Sequence, residues 1–422
     1  MFFIRQSKRI ILVDISVVKA EYKTFKDMGL KLDMSRGKPS SEQLELSNAI
    51  HNQLTTFKSK EGMDIQNYGG AHGLLEARLL FESLLDIPYS QIIVDNNSSL
   101  ALMHDAIVFA LIYGFPDGEP WIRKPISILC PVPGYDRHFA ICEALGINMI
   151  NITMHQDGPD IEEVRNIVKD NPDIKGIWCV PKYSNPTGAI YSDEVVHGLA
   201  AMDTAAADFK IFWDDAYRFH HLTDEKISTA NILDLCTKAG YANRPIIFSS
   251  TSKITLAGAG ISALAASPSN IAWWEKCTAV RSIGPDKVNQ FRHIQFLKNR
   301  DNVEHLMEQH RRILKPKFDA VIQQFEYYLK DNPNISWTNP KGGYFIDLKV
   351  PQGFAKRTIE LAKNLGITLT PAGAAFPYRN DPTDSHIRIA PSYPSLLEIT
   401  QAAKGIALSL LLALNDTSQA RK

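Results

Sequence analysis

Six short apolar runs, separated by helix-length amphipathic stretches, constrain this 422-residue chain more than any other feature. They span 91–94, 126–130, 174–180, 210–213, 245–248 and 261–266. Rich in Ile and Val without regular polar alternation, such runs suit a sheet covered on both faces. The stretches between them, such as 161–168 and 192–206, predict alternating β and α units, hence a mostly parallel sheet with right-handed crossovers. On such sheets ligands sit beyond the carboxyl ends of strands, so chemistry is expected in the loops that follow the runs.

Those loops carry polar groups. After 91–94 come Asn96, Asn97, Ser98 and Ser99, leading into a helical pattern over 101–111. Ser and Asn there are expected to cap free N–H groups, and the same helix end favours an anion. Run 126–130 leads into Pro131-Val132-Pro133-Gly134-Tyr135, a rigid turn that presents an aromatic ring. Run 174–180 leads into a loop whose Pro181, Pro186 and Gly188 hold the amide of Asn185. After 210–213 stand Asp214, Asp215, Ala216 and Tyr217. A carboxylate ending an apolar strand needs a cation or strong donors, and strand periodicity lets either aspartate point inward. Run 245–248 ends in Ser249-Ser250-Thr251-Ser252-Lys253, where burial would lower the lysine pKa and free its amine as a nucleophile. Taken singly, each reads equally well as an ordinary loop. Five in succession point to one site.

A second region follows, with a charged amphipathic helix over 288–329 interrupted at Pro316. After it come strand-like runs at 335–337, 343–348 and 386–390, a helix over 356–365 and a closing helix. This reads as a smaller α+β domain, and the first 50 or so residues are expected to pack against it. The division expected is 1–55 as arm and part of the small domain, 56–300 as the large domain, and 301–422 as the small domain. The apolar segment 405–414 is about half a membrane span and reads as a buried helix. Composition excludes other classes. Basic and acidic residues balance at 46 each, so no net charge draws nucleic acid over distance. Apolar residues reach 45%, which argues against disorder. Five scattered cysteines without a C-x-x-C pair supply neither a disulfide framework nor a metal site. The start of the chain, charged every few residues, lacks the apolar stretch of a signal peptide and is expected to lie against the body as an arm or strand. A cytoplasmic protein is expected, in which the sequons at Asn97 and Asn151 carry no meaning.

Four motifs stand in the order and approximate spacing of a known family: Asn185-Pro186-Thr187-Gly188, Asp214-Asp215-Ala216-Tyr217, Ser250-Thr251-Ser252-Lys253 and Ile387-Arg388-Ile389. The chain resembles the class I/II aminotransferases, pyridoxal-phosphate enzymes of fold type I, from Tyr68-Gly69-Gly70 through Arg388. Arg36-Gly37-Lys38-Pro39-Ser40, the stretch from Pro131 to His138 and that from Ile283 to Gln290 resemble a bacterial aspartate aminotransferase branch. The resemblance implies that Lys253 holds pyridoxal phosphate as a Schiff base and then moves a proton. It implies that Asp214, by the pattern Asp-x-Ala-Tyr, pairs with the ring nitrogen. Asn185 and Tyr217 would bond the ring oxygen and Tyr135 would stack on the ring. Ser98, Ser99 and Ser250 would bind phosphate, with Tyr68 reaching over from a second subunit of a homodimer. Arg388 would clamp the substrate α-carboxylate, with Asn185, Gly37 and Lys38 on the substrate side. One departure stands out: where many relatives place a phosphate-binding arginine, this chain has Ile261, and Ala257-Gly258-Ala259-Gly260 is expected to offer a backbone nest instead.

The activity implied is ping-pong transfer of an amino group from aspartate or glutamate to a 2-oxo acid such as 2-oxoglutarate. An aromatic or kynurenine-type aminotransferase, and a lyase or decarboxylase, would use the same cofactor residues. A cofactor-sensing regulator would need a basic module of about 70 residues ahead of Tyr68, and that segment is neither long nor basic enough. Candidates to grip a side-chain carboxylate are Arg36, Lys38, Arg137, Lys182 and Arg292, each of which reads equally as a surface charge. The aromatics of Gly342-Gly343-Tyr344-Phe345 are expected on the substrate side.

Overall fold

The apolar runs meet in one sheet. In the computed structural model, which describes residues 15–416, the order across it is Ile92–Val94, Ser262–Ala266, Pro245–Ser250, Lys210–Asp214, Ile174–Cys179, Ser127–Val132, Asn148–His155 and Gly158–Pro159. The five strands from Pro245–Ser250 to Asn148–His155 run parallel, and Ser262–Ala266 runs against both of its neighbours. Side chains alternate between two dry faces. Ile177, Cys179, Ile211, Trp213 and Ile247 join one core, and the intervening Trp178, Phe212, Ile246 and Phe248 join another on the opposite face. That double burial is why the runs show no polar alternation. All six expected strands are present, with ends shifted by one or two residues. The strand Asn148–His155 was not expected: Asn148, Asn151, Thr153 and His155 are exposed along it, so it lacks the apolar signature of its neighbours.

A third core lies in the C-terminal region and takes in the start of the chain. Three antiparallel strands, Ser336–Trp337, Ile346–Lys349 and His386–Ile389, pack with the helices Arg300–Leu329, Ala355–Asn364 and Leu396–Asn415. The helix Ile15–Asp27 adds Val18 and Phe25 to this core, and Leu32–Asp33 pairs in parallel with Ile367–Thr368. The helix Leu396–Asn415 has the length and composition of a membrane span, but most of it is buried here as a core helix. Residues 1–14, expected as an arm or strand, lie outside the described residues.

The expected interruption at Pro316 is corrected. The helix Arg300–Leu329 runs through Pro316, and the break comes earlier, at Lys298 (φ +60°). There Asn299 caps the new helix by accepting from the Asn302 N–H at 3.0 Å. Proline removes one helical hydrogen bond. Burial offsets that loss: Val303, Leu306 and Met307 of this helix join the large-sheet core, and Leu314, Phe318, Val321, Phe325 and Leu329 join the third core. One rigid element therefore ties both bodies together.

Gly366 is a demanding joint between the start of the chain and the third core. Its φ is +79°, its carbonyl accepts from the Leu32 N–H at 2.9 Å, and a Cβ there would collide with the Leu30 carbonyl oxygen. Gly366→Ala should destabilise the protein by at least about 2 kcal/mol, read as a lower urea midpoint in equilibrium unfolding.

Candidate active site

The strand ends do converge. A cavity of about 230 Å³ is lined by Ser98, Ser99, Tyr135, Asn185, Asp214, Tyr217, Ser250 and Lys253, together with Gly37 and Lys38 from the segment that precedes the large sheet. Gly37 is required by a close approach, since any Cβ there would strike the Phe345 ring. Lys38 places its Nζ 3.6 Å from the centre of the Tyr393 ring.

Period-two geometry separates the adjacent aspartates. Asp214 points to the same face of the sheet as Phe212, where His138 Nε2 lies 3.0 Å from its Oδ2. The other oxygen, Oδ1, is buried without a partner. Asp215 turns to the opposite face and pairs with Arg218 at 2.9 Å. His138 is held from both sides: its ring stacks on Trp178 at 4.4 Å and meets the edge of Tyr135 at 4.9 Å. In the sequence His138 stands only as the last residue of the stretch from Pro131. Its role as the partner of Asp214 needs contact across the sheet, which no local signal in the chain supplies.

Lys253 Nζ sits 4.8 Å from the centre of the Tyr217 ring. Burial lowers its pKa below that of an ordinary lysine, and the Asp214 charge opposes this in part. Burial also raises the phenols of Tyr217 and Tyr135, so both stay protonated and able to donate. Three buried histidines support the lysine turn from behind. His220 Nε2 lies 3.3 Å from the Lys253 carbonyl and His310 Nε2 2.9 Å from the Ile254 carbonyl. His293 lies between the Asn289 carbonyl (2.8 Å) and the Thr255 hydroxyl (2.9 Å). Gln43, fully buried, donates to both His310 Nδ1 and the Tyr344 hydroxyl at 2.9 Å.

At the other end of the cavity the helix Ser99–Tyr113 begins. Its N-cap, Ser98, makes no side-chain capping bond, which corrects the simple capping expected there and leaves first-turn N–H groups facing an anion-sized space. The Ile261 side chain is in the core, and its N–H donates to Thr251 Oγ1 at 3.0 Å, so this position braces the lysine turn. The nest expected at Ala257–Gly260 is not formed. Neither Gly258 nor Gly260 has a positive φ, and the carbonyls of Gly258, Ala259 and Gly260 accept from Asn97 and Asn289 side chains.

Arg388 comes from the strand His386–Ile389 of the third core. It makes one short contact, Nη1 to Asp136 Oδ1 at 2.8 Å, with Asn185 Oδ1 at 3.4 Å and Thr370 Oγ1 at 3.3–3.4 Å. Phe345 lies beneath its guanidinium, 5.1 Å from ring centre, and Tyr344 is fully buried against Gln43. Neither aromatic lines the cavity, contrary to expectation. Of the candidate cations, Lys38 lines it, while Arg36 and Arg137 line an adjoining cavity of about 400 Å³. Lys182 and Arg292 line neither: Lys182 donates to the Arg218 carbonyl and Arg292 to Asn289 Oδ1. Tyr68 is 80% exposed and does not reach the cavity of its own chain.

The chain is similar to known proteins over nearly its whole length. The family model described as "Aspartate amino-transferase" matches residues 10–421. The chain belongs to the aspartate aminotransferase family. An aspartate aminotransferase of Corynebacterium glutamicum is 43% identical over 400 residues, covering 94% of this chain and 92% of the relative. A protein of Mycolicibacterium smegmatis described as an aminotransferase is 48% identical over 412 residues, covering 96% of each. The crystal structure of a C. glutamicum aspartate transaminase superposes with a TM-score of 0.93 at 42% identity, covering 98% of both chains. A Thermus thermophilus alpha-aminoadipate aminotransferase, complexed with N-(5'-phosphopyridoxyl)-L-leucine, shares the fold at 19% identity (TM-score 0.74, covering 94% and 95%). This chain is therefore an aminotransferase of the pyridoxal-phosphate-dependent fold type I, as its sequence motifs implied.

Two outcomes follow from the geometry. In the cofactor-free protein Asp215→Asn should lower stability by about 1–2 kcal/mol, because it removes the buried one of the two carboxylates paired with Arg218 and leaves only the exposed Asp86, whereas Asp214→Asn, which loses the single His138 contact, should change it less. Urea unfolding of the two variants checks this. Burial depresses the pKa of His220 well below 6.5 and those of His293 and His310 to about 4. Between pH 6.5 and about 4 the unfolded chain takes up protons that the folded chain refuses, so stability should fall steadily across that window. A flat urea midpoint from pH 7 to 4.5 would contradict it.

Proposed function

We propose that this aminotransferase transfers the amino group of aspartate or glutamate to a 2-oxo acid such as 2-oxoglutarate, in two half-reactions, with pyridoxal phosphate held in the Lys253 cavity. The observation that carries this reading is the buried, unpartnered Asp214 Oδ1 beside a half-buried lysine amine of lowered pKa. An acceptor left bare in a dry site costs stability unless a ligand brings a donor, and a protonated ring nitrogen is such a donor. When bound, the cofactor supplies a carbonyl carbon for amines and a ring that accepts electrons.

The chain's own residues would do the rest. Ser98, Ser99, Ser250 and the first-turn N–H groups of the helix Ser99–Tyr113 would hold the phosphate. Asp214, oriented by His138, would fix the ring nitrogen, and Tyr135 would cover one ring face. Asn185 and the protonated Tyr217 would donate to the ring oxygen. Lys253 Nζ would anchor the cofactor and afterwards carry the proton taken from the substrate Cα, a task suited to an amine whose pKa is lowered. Arg388 would grip the α-carboxylate as a fork, with Asn185, Gly37 and Lys38 lining the substrate side. The preference for acidic donors rests on the relatives named as aspartate aminotransferases, while Phe345 packs behind Gly37 and Arg388 and Tyr344 behind Gln43.

On this reading residues 56–300 are the cofactor-binding unit, and 301–422 with the 1–55 segment form the smaller one. The exposed Tyr68 would serve the neighbouring subunit of a homodimer, together with exposed Val280 and Ile283; Gly284 lies against Gly69 beside it. A cytoplasmic location fits five cysteines that are all buried and free.

The test is absorbance of the purified protein with pyridoxal phosphate. Aspartate should shift the cofactor band and 2-oxoglutarate should restore it, while phenylalanine acts far more weakly. Lys253→Ala should abolish turnover. Asp214→Asn should lower kcat by about a hundredfold or more. Turnover that survives Lys253→Ala would refute the reading.

A further inference from the structure

Arg388 is already paired. Its short contact is with Asp136, an end-on bond through one carboxylate oxygen, while the two longer contacts from Nε and Nη2 converge on the neutral Thr370 hydroxyl. A guanidinium presents its best face to a carboxylate when two N–H groups meet two oxygens. The substrate carboxylate and Asp136 therefore compete for one cation. The Asp136 side chain is about one-third exposed, 32%, while that of Arg388 is nearly buried at 9%.

Asp136 also has somewhere else to go. It is the first residue of the helix Asp136–Ala144, where the helix dipole stabilises a carboxylate without any arginine. Beside it lies the adjoining cavity of about 400 Å³, lined by Arg36, Arg137 and Arg379. None of these three arginines has an ion-pair partner among the described residues. Glu143, the other acid lining that cavity, leaves the cations in excess.

We propose that Asp136 is a displaceable counter-ion of Arg388: it neutralises the guanidinium while the substrate site is empty and gives way to the incoming α-carboxylate, moving toward the arginine-lined cavity. This rests on the reading of Arg388 as the α-carboxylate site. Asp136 thereby acts as a positioning residue that sets substrate affinity through Arg388. It keeps a nearly buried cation from being left unpaired, and every substrate must overcome that pairing to bind. Loss of the competing charge should favour the substrate, even though the amide of an asparagine can still accept the Arg388 hydrogen bond.

The test is calorimetric binding of succinate, a carboxylate with no amino group to react, to the holoenzyme, alongside KM and kcat for aspartate. Asp136→Asn should tighten succinate by about threefold to tenfold, the factor a partly exposed ion pair is worth. KM for aspartate should fall with it, by more than kcat changes. Raising the salt concentration should narrow the gap between wild type and variant, because the competing pair is screened. Arg388→Lys serves as the control and should weaken succinate strongly in either background. Unchanged or weaker succinate binding in Asp136→Asn, with Arg388→Lys still damaging, would overturn the counter-ion and leave the Arg388 assignment standing. Normal binding in Arg388→Lys would remove the Arg388 assignment and the counter-ion together.

Discussion

Everything at this site follows from a sheet that is dry on both faces. Residues on neighbouring positions of the Lys210–Asp214 and Pro245–Ser250 strands enter two different cores, so neither face can hold a charged group cheaply. Polar chemistry is driven to the strand ends, and in parallel strands those ends lie side by side. Ser98, Tyr135, Asn185, Asp214, Ser250 and Lys253 are far apart in the chain and share one cavity for that reason. The antiparallel strand Ser262–Ala266 serves the same end. It returns the chain from the lysine turn into the sheet, and Ile261 at its entrance clamps Thr251 through two hydrogen bonds, Thr251 N–H to its carbonyl and its own N–H to Thr251 Oγ1.

The lysine itself is held by uncharged groups. A carbonyl acceptor requires a donor, so His220 and His310 present Nε2–H to the Lys253 and Ile254 carbonyls, and His293 presents Nδ1–H to Asn289. His310 Nδ1 then accepts from Gln43, and His293 Nε2 from the Thr255 hydroxyl. Each ring therefore uses its neutral form, in accord with its depressed pKa. Cations placed there would repel a protonated amine at Lys253 and depress its pKa further. Neutral imidazoles fix the backbone of the turn and leave the amine to be tuned by burial and by Asp214.

Much of this was legible in the chain, because strand ends and turn residues are local signals. Six of the eight strands of the large sheet, the loops that carry the site and the lysine turn follow from apolar runs and the punctuation after them. What was not legible depends on contact at a distance. Periodicity alone left Asp214 and Asp215 equivalent, and only the position of His138 and Trp178 on one face, with Arg218 on the other, separates them. Pro316 reads as a break in isolation, yet burial on both sides carries the helix through it. Asn148–His155 reads as polar because its exposed positions face solvent. The aromatics Tyr344 and Phe345 support Gln43, Gly37 and Arg388 from outside the cavity, a role that composition cannot distinguish from lining it.

The amine and the guanidinium belong to different bodies. Lys253 lies in the turn that follows the large-sheet strand Pro245–Ser250, whereas Arg388 stands in the antiparallel sheet of the third core, in register with Asp347. Their separation is therefore set by packing between cores rather than by any one strand. The helix Arg300–Leu329 contributes side chains to both, and His310, midway along it, bonds the backbone next to Lys253. Gln43 joins that histidine to Tyr344, which is followed in the chain by Phe345 under the Arg388 guanidinium. A continuous chain of buried hydrogen bonds and aromatic contact thus runs from the lysine turn to the arginine. Such a chain tolerates little slack, since a partly satisfied buried network is costlier than an apolar one. A ligand bridging the two cations would meet a spacing fixed by the fold, and adjustment falls to the exposed edge of the site, where Asp136 and the adjoining arginines lie.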